Sequence, residues 1–194
     1  MNPWAVFKRG FMTYWYWHVR QLNVLWPSIA LNEKTLVIFP GVYKPLENEQ
    51  SCVDYCRKDD RVLDMGCGTG ILAIMASKLG AKSVIAIDYD PICYESTIEN
   101  ARLNHVENIT ALCGSKEATP NEQFDIILAN INRNILLDQM EQYARVLKPG
   151  GELYLSGFYE IPDLAIITDQ SLKYGLKYVS SKINGDWVAA KVVR

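Results

Sequence analysis

The sequence predicts an α/β domain: a seven-stranded, mostly parallel sheet with helices on both faces and an antiparallel strand in a C-terminal hairpin. Three observations predict it. From about residue 51, short aliphatic and β-branched runs alternate with longer amphipathic segments, the pattern of a parallel sheet covered by helices. A glycine-rich turn joins the first such run to the first such segment. The chain closes on two strand-like runs around Asn184-Gly185, a dipeptide that favours a tight hairpin.

The elements follow in order. Arg61 to Asp64 reads as a short strand, and Gly66 to Gly70 as the turn after it. Ile71 to Leu79 reads as a helix stopped by Gly80, because glycine accepts the left-handed conformation that ends helices. Val84 to Ile87 is a buried strand, and Pro91 opens a helix to Asn104, proline being favoured in a first turn. Thr110 to Leu112 and Phe124 to Ala129 are strands three and four. Asn134 to Leu147 is an amphipathic helix ended by Lys148-Pro149-Gly150-Gly151, and Glu152 to Ser156 is the fifth strand. Ile161 to Tyr174 reads as helical, and Leu176 to Ile183 and Trp187 to Val193 as the closing hairpin.

Composition narrows the function. At 49% hydrophobic and 22% charged, 194 residues can bury a substantial core. A formal net charge of -2 argues against non-specific nucleic-acid binding, which needs a basic surface to neutralise phosphates. No apolar run reaches the roughly 18 residues of a membrane span. The five cysteines fit neither a disulfide framework nor a zinc pattern, so no metal is expected and a reducing, cytoplasmic setting is.

The chemistry lies in Val62-Leu63-Asp64-Met65-Gly66-Cys67-Gly68-Thr69-Gly70. Glycine at every second position permits positive φ and close approach of a ligand to the backbone, and the following helix offers unpaired N–H groups. A dinucleotide site of the Rossmann type uses G-x-G-x-x-G to cradle pyrophosphate. Here the spacing is G-x-G-x-G after an acid, and Asp64 suits a cationic or amine-bearing ligand such as S-adenosylmethionine. Asp88, in Ile87-Asp88-Tyr89-Asp90-Pro91, ends the second strand, where a carboxylate can accept both hydroxyls of a ribose. Asn130 ends the fourth strand facing the mouth of the turn, while Asn132 reads as a helix cap.

The first 50 residues differ in composition. They hold Trp4, Trp15, Trp17 and Trp26, and no acid before Glu33. This aromatic extension (residues 1–50, against a domain of 51–194) is open to four readings: a lid over the site, a homodimer interface, a membrane-surface contact through Lys8, Arg9 and Arg20, or plain core packing. Leu36 to Phe39 reads as a short strand within it. Tyr43, whose ring face suits a sulfonium methyl, and Glu47 are expected beside Asn130 on the acceptor side.

From about Asp59 the chain resembles a class I methyltransferase, and most of all the catalytic domain of the ribosomal-protein lysine methyltransferases. The segments that carry the likeness are Val62 to Ile74, Ile85 to Pro91, Phe124 to Leu137, Leu147 to Gly151, Leu155-Ser156-Gly157 and Trp187-Val188-Ala189. The resemblance implies S-adenosyl-L-methionine as cofactor. Asp64, Gly66, Cys67, Gly68 and Gly70 would hold its methionine part, Asp88 with Tyr89 its ribose, Gly114-Ser115 its adenine, and Asn130 would lie beside the transferred methyl. That family carries a separate recognition domain for which this chain has no room, and its Gly-Thr-Gly-Thr-His stretch is missing. Phe39 to Asn48 stands there instead and looks like the Val-Tyr-x-Pro-x-Glu-Asp stretch of the release-factor glutamine methyltransferases, whose Asn-Pro-Pro-Tyr signature is absent. The expected function is therefore N-methylation of a small molecule or short peptide by in-line displacement. The alternatives are a protein-lysine or RNA methyltransferase, or a cofactor-binding partner subunit without turnover.

Overall fold

The computed structural model describes residues 28–31, 34–37 and 56–194. The chain divides into two units, Met1–Lys44 and Pro45–Arg194. In the first, strands β1 (Ser28–Leu31) and β2 (Lys34–Val37) pair antiparallel, with Ser28 opposite Val37. The aromatic extension, Tyr43 and Glu47 otherwise lie outside the described residues.

The second unit is an open sheet of seven strands in the order β5-β4-β3-β6-β7-β9-β8. The strands are β3 (Arg61–Met65), β4 (Ser83–Asp88), β5 (Ile109–Cys113), β6 (Phe124–Asn130), β7 (Leu147–Tyr159), β8 (Lys177–Asn184) and β9 (Trp187–Val193). The first five run parallel, and β9 pairs antiparallel with both β7 and β8. Helices α1 (Ile71–Leu79) and α2 (Pro91–Leu103) follow β3 and β4, α3 (Arg133–Val146) follows β6, and α4 (Ala165–Lys173) precedes β8.

Burial explains the order. In β3 and β6, Val62, Leu63, Ile127, Leu128 and Ala129 are all fully inaccessible, as expected for central strands covered on both faces. The main core joins Leu63, Ile127 and Ala129 to Leu136, Met140 and Tyr143 of α3, to Ile167 of α4, and to Leu153, Leu155 and Phe158 of β7. Strand β9 alternates, burying Val188, Ala190 and Val192, whereas β8 at the sheet edge is exposed along nearly all its length.

Boundaries differ from the sequence reading at both ends of β7, which begins at Leu147 rather than Glu152, and at the start of the last helix. Strand β7 runs on to Tyr159 because β9 continues to pair with it, Tyr159 lying opposite Trp187. The last helix starts at Ala165 rather than Ile161. Ile161 is extended (φ -115, ψ 124) and precedes Pro162, whose ring disfavours helical backbone in the residue before it.

The chain winds outward through β3, β4 and β5, then returns to lay β6 against the other side of β3. The loops leaving β3 and β6 therefore diverge at their carboxyl ends. Such a reversal opens the crevice in which α/β sheets bind ligands. No helix among the described residues is long and apolar enough to cross a membrane.

Candidate functional site

The glycine turn is pinned from two sides. From below, Gly66 N and Cys67 N both donate to Ile87 O, at 2.8 and 3.0 Å. From behind, α2 presents polar groups that the sequence reading did not single out. Thr97 Oγ1 donates to Gly68 O at 3.2 Å, and Asn100 Nδ2 to Thr69 O at 2.9 Å. Thr97 and Asn100 are buried, as is Asn104 at the C-cap of the same helix. Their spacing of three and four residues is a signal, since it sets all three on one helix face.

The three glycines serve three ends. A Cβ on Gly66 would stand 2.2 Å from Ile131 Cγ2, so the side chain of Ile131 occupies that space. A Cβ on Gly70 would meet Thr97 Cγ2 at 2.8 Å. At Gly68, with φ +54, nothing lies within 4 Å. Gly68 alone of the three keeps an open face on which a ligand can lie against the backbone. Replacing Gly68 with valine is expected to leave the fold standing, at about 1–2 kcal/mol of left-handed strain, while abolishing ligand binding. Thermal unfolding beside a calorimetric titration checks this; a normal binding curve contradicts it.

Asp64 is 1% exposed, and its Oδ2 accepts Ala73 N at 2.9 Å. It therefore anchors the helix that carries the turn. Asp88, 7% exposed, is fixed through both oxygens: Oδ2 accepts Gly68 N at 2.8 Å and Oδ1 accepts Asp90 N at 3.0 Å. Each carboxylate oxygen retains a second lone pair for a ligand hydroxyl. Tyr89 beside it is 76% exposed. One strand over, Gly114 N donates to Asp88 O, and Ser115 follows with its Oγ accepting Gln139 Nε2 at 3.2 Å.

On the other side of the crevice, Asn130 Oδ1 accepts Ser156 Oγ at 2.9 Å and Ile131 N donates to Ser156 O at 3.1 Å. Gly157 lies against the Ile131 backbone so closely that a Cβ would come within 2.7 Å of Ile131 O. The Asn-Ile and Leu-Ser-Gly segments are thus two halves of one contact. Asn132 caps α3, its side chain accepting Ile135 N.

Cys67 turns away from the crevice: it is 6% exposed, with Sγ 3.4 Å from Thr97 Oγ1. Burial raises its thiol pKa, with Asp64 adding to the shift. Burial likewise pushes Cys56 up to about 12, helped by Asp60. Cys113 is exposed. Iodoacetamide at pH 8 is therefore expected to label Cys113 and to spare Cys56 and Cys67 until the protein unfolds, because only the thiolate reacts. Peptide mass mapping reads this; early labelling of Cys67 would show the turn to be open. Among the described residues no cluster of three or more His, Cys, Asp or Glu could hold a metal ion.

The ribosomal protein L11 methyltransferase (PrmA) family matches residues 49–194. The chain belongs to that family. A relative, the ribosomal protein L11 methyltransferase of Bacteroides thetaiotaomicron, is 49% identical over 135 residues, covering 69% of this chain and 48% of its own length. The crystal structure of ribosomal protein L11 methylase from Lactobacillus delbrueckii subsp. bulgaricus superposes with a TM-score of 0.68 at 35% identity, covering 71% of each chain. The structure of M. jannaschii TYW2 in complex with AdoMet superposes at 0.64 with 17% identity, covering 86% of this chain and 85% of its own, a likeness that shows the fold. This PrmA-family chain spans about half the length of the curated relatives it matches.

Proposed function

We propose that the unit Pro45–Arg194 is the catalytic domain of an S-adenosylmethionine-dependent protein methyltransferase whose acceptor is an amino nitrogen of ribosomal protein L11. The observation that carries this reading is the open face of Gly68 beside a fixed Asp88 carboxylate, in a chain of this family. A Cβ at residue 68 would fill the space a ligand needs, and Asp88 offers acceptors where a ribose would lie. S-adenosylmethionine, when bound, supplies a methyl group on a sulfonium that is already a good leaving group.

The protein's part is alignment. The Gly66–Gly70 turn, held by Thr97 and Asn100, fixes the methionine end, and Asp88 fixes the ribose. Asn130, whose Oδ1 is held by the Ser156 hydroxyl, retains a lone pair to accept an N–H of the acceptor amine and so aim its nitrogen. Tyr43 and Glu47, expected from the sequence on the acceptor side, lie outside the described residues.

The small-molecule acceptor expected from the sequence rests on departures from the family pattern, the missing Gly-Thr-Gly-Thr-His stretch among them, and family membership favours the protein acceptor. Net charge of -2 gives RNA no support. We place the protein in a reducing compartment, on its free Cys56, Cys67, Cys93 and Cys113.

The test is incubation with methyl-labelled S-adenosylmethionine and ribosomal protein L11 from the same organism, followed by peptide mass spectrometry. Label on an L11 amine, lost in Asp88→Ala, is the expected result. Label on small amines but not on L11 would restore the small-molecule reading. Absence of S-adenosylmethionine binding by calorimetry would sink both.

A further inference from the structure

Ser115 leads into the middle of α3 through two buried polar side chains. Its Oγ accepts Gln139 Nε2 at 3.2 Å, and Gln139 Oε1 accepts the Tyr143 hydroxyl at 2.5 Å, one helical turn on. Gln139 is 3% exposed, and Tyr143 is fully buried within the main core among Leu136, Met140 and Ala144. Apolar residues would fill this part of α3 without the cost of desolvating an amide and a phenol. The two polar groups persist there because they satisfy one another, which fixes their orientation.

The order of donors runs one way. Burial raises the pKa of Tyr143, so its hydroxyl stays protonated. Tyr143 donates to the amide carbonyl, which leaves the amide nitrogen to donate to Ser115. Ser115 Oγ therefore spends an acceptor site inward, and its own proton has no acceptor among the described residues. Ser115 is half-buried at the carboxyl end of β5, next to the end of β4 where Asp88 stands.

We infer that Gln139, held by Tyr143, sets the Ser115 hydroxyl as a hydrogen-bond donor toward a ring nitrogen of the cofactor's purine. This rests on the cofactor assignment proposed above. Adenine offers ring nitrogens as acceptors, and its exocyclic amine is a donor, so a hydroxyl fixed as donor reads the ring. Gln139 and Tyr143 are positioning residues: they touch Ser115, directly or through each other, and give the rim of the pocket its polarity.

The experiment is calorimetric titration with S-adenosylhomocysteine and with its three analogues in which N1, N3 or N7 of adenine is replaced by C–H. In the wild type, one analogue is expected to bind about five- to tenfold more weakly, the worth of one hydrogen bond. In Gln139→Met that ratio falls to near one. Gln139→Glu, whose carboxylate can only accept from Ser115, turns the hydroxyl inward and also removes the discrimination. Tyr143→Phe deletes a single oxygen and frees the amide to flip, so the ratio falls there even if the Gln139 variants do not fold. Equal binding of all analogues to the wild type overturns the inference, as does an unchanged ratio in a folded variant. A wild type that does not bind S-adenosylhomocysteine overturns the cofactor assignment itself, and the inference with it.

Discussion

Replacing Gly157 with alanine is expected to lower the unfolding free energy by about 2–4 kcal/mol and to abolish methyl transfer. Gly157 has φ +89, and a Cβ there would lie 2.7 Å from Ile131 O, 2.9 Å from Ile131 C and 3.0 Å from Ile131 N. All three are backbone atoms, so no rotamer change relieves the clash. The 130–131 segment must move, and with it go the bond from Ile131 N to Ser156 O and the hold of Ser156 on Asn130. Ile131 also fills the space above Gly66, so the disturbance reaches the cofactor turn. Gly175→Ala is the control: φ there is +79 but nothing lies within 4 Å, so only left-handed strain of about 1–2 kcal/mol applies. Urea denaturation of both variants, with labelled methyl transfer in parallel, checks this. Equal destabilisation of the two would show that the Ile131 contact carries no weight.

Replacing Asp88 with alanine is expected to weaken S-adenosylmethionine binding by about 1.5–3 kcal/mol for each hydrogen bond to the carboxylate, on the order of 10- to 150-fold. The variant loses ribose acceptors and the bond that holds Gly68 N, so the turn loosens as well. Asp88→Asn is expected to do little better. Both carboxylate oxygens accept backbone N–H groups, from Gly68 and from Asp90, and an amide has only one acceptor oxygen for the two donors. Calorimetry on both variants decides it, and wild-type affinity in either would end the ribose assignment.

What the sequence disclosed follows the range of the forces involved. Strands β3 and β6 carry the apolar runs Val62-Leu63 and Ile126 to Ala129 because they are buried on both faces, and such runs are visible without a structure. Helix α1 and strand β9 begin and end where the residues indicate, Gly70 and Gly80 in left-handed backbone flanking the first, and the Asn184-Gly185 turn preceding the second. Gly68 and Asp88 stood out because a positive-φ glycine and an acid at successive strand ends are the residue types that the proposed ligand contact would need. The groups that hold them did not. Thr97 and Asn100 act on Gly68 and Thr69 about 30 residues away, and Gln139 acts on Ser115 across 24. The spacing of Thr97, Asn100 and Asn104 hints at a polar helix face but not at its partner, and a lone glutamine hints at neither. For Gly66 and Gly70 the structure adds a reason the sequence did not show: a Cβ there would meet the side chains of Ile131 and Thr97.

The buried polar face of α2 has a consequence for how the molecule breathes. Thr97 and Asn100 satisfy carbonyls of the glycine turn, and Asn104 Nδ2, at the C-cap of the helix, donates to Asn100 O. If α2 lifts from the sheet, those turn carbonyls lose their partners at once, so turn and helix should open as one cooperative unit. Amide hydrogens of Gly66 to Gly70 and of α2 would then exchange with deuterium at a common rate under native conditions. A ligand seated on Gly68 would slow both sets together, so that occupancy of the turn can be read from a helix the ligand does not touch.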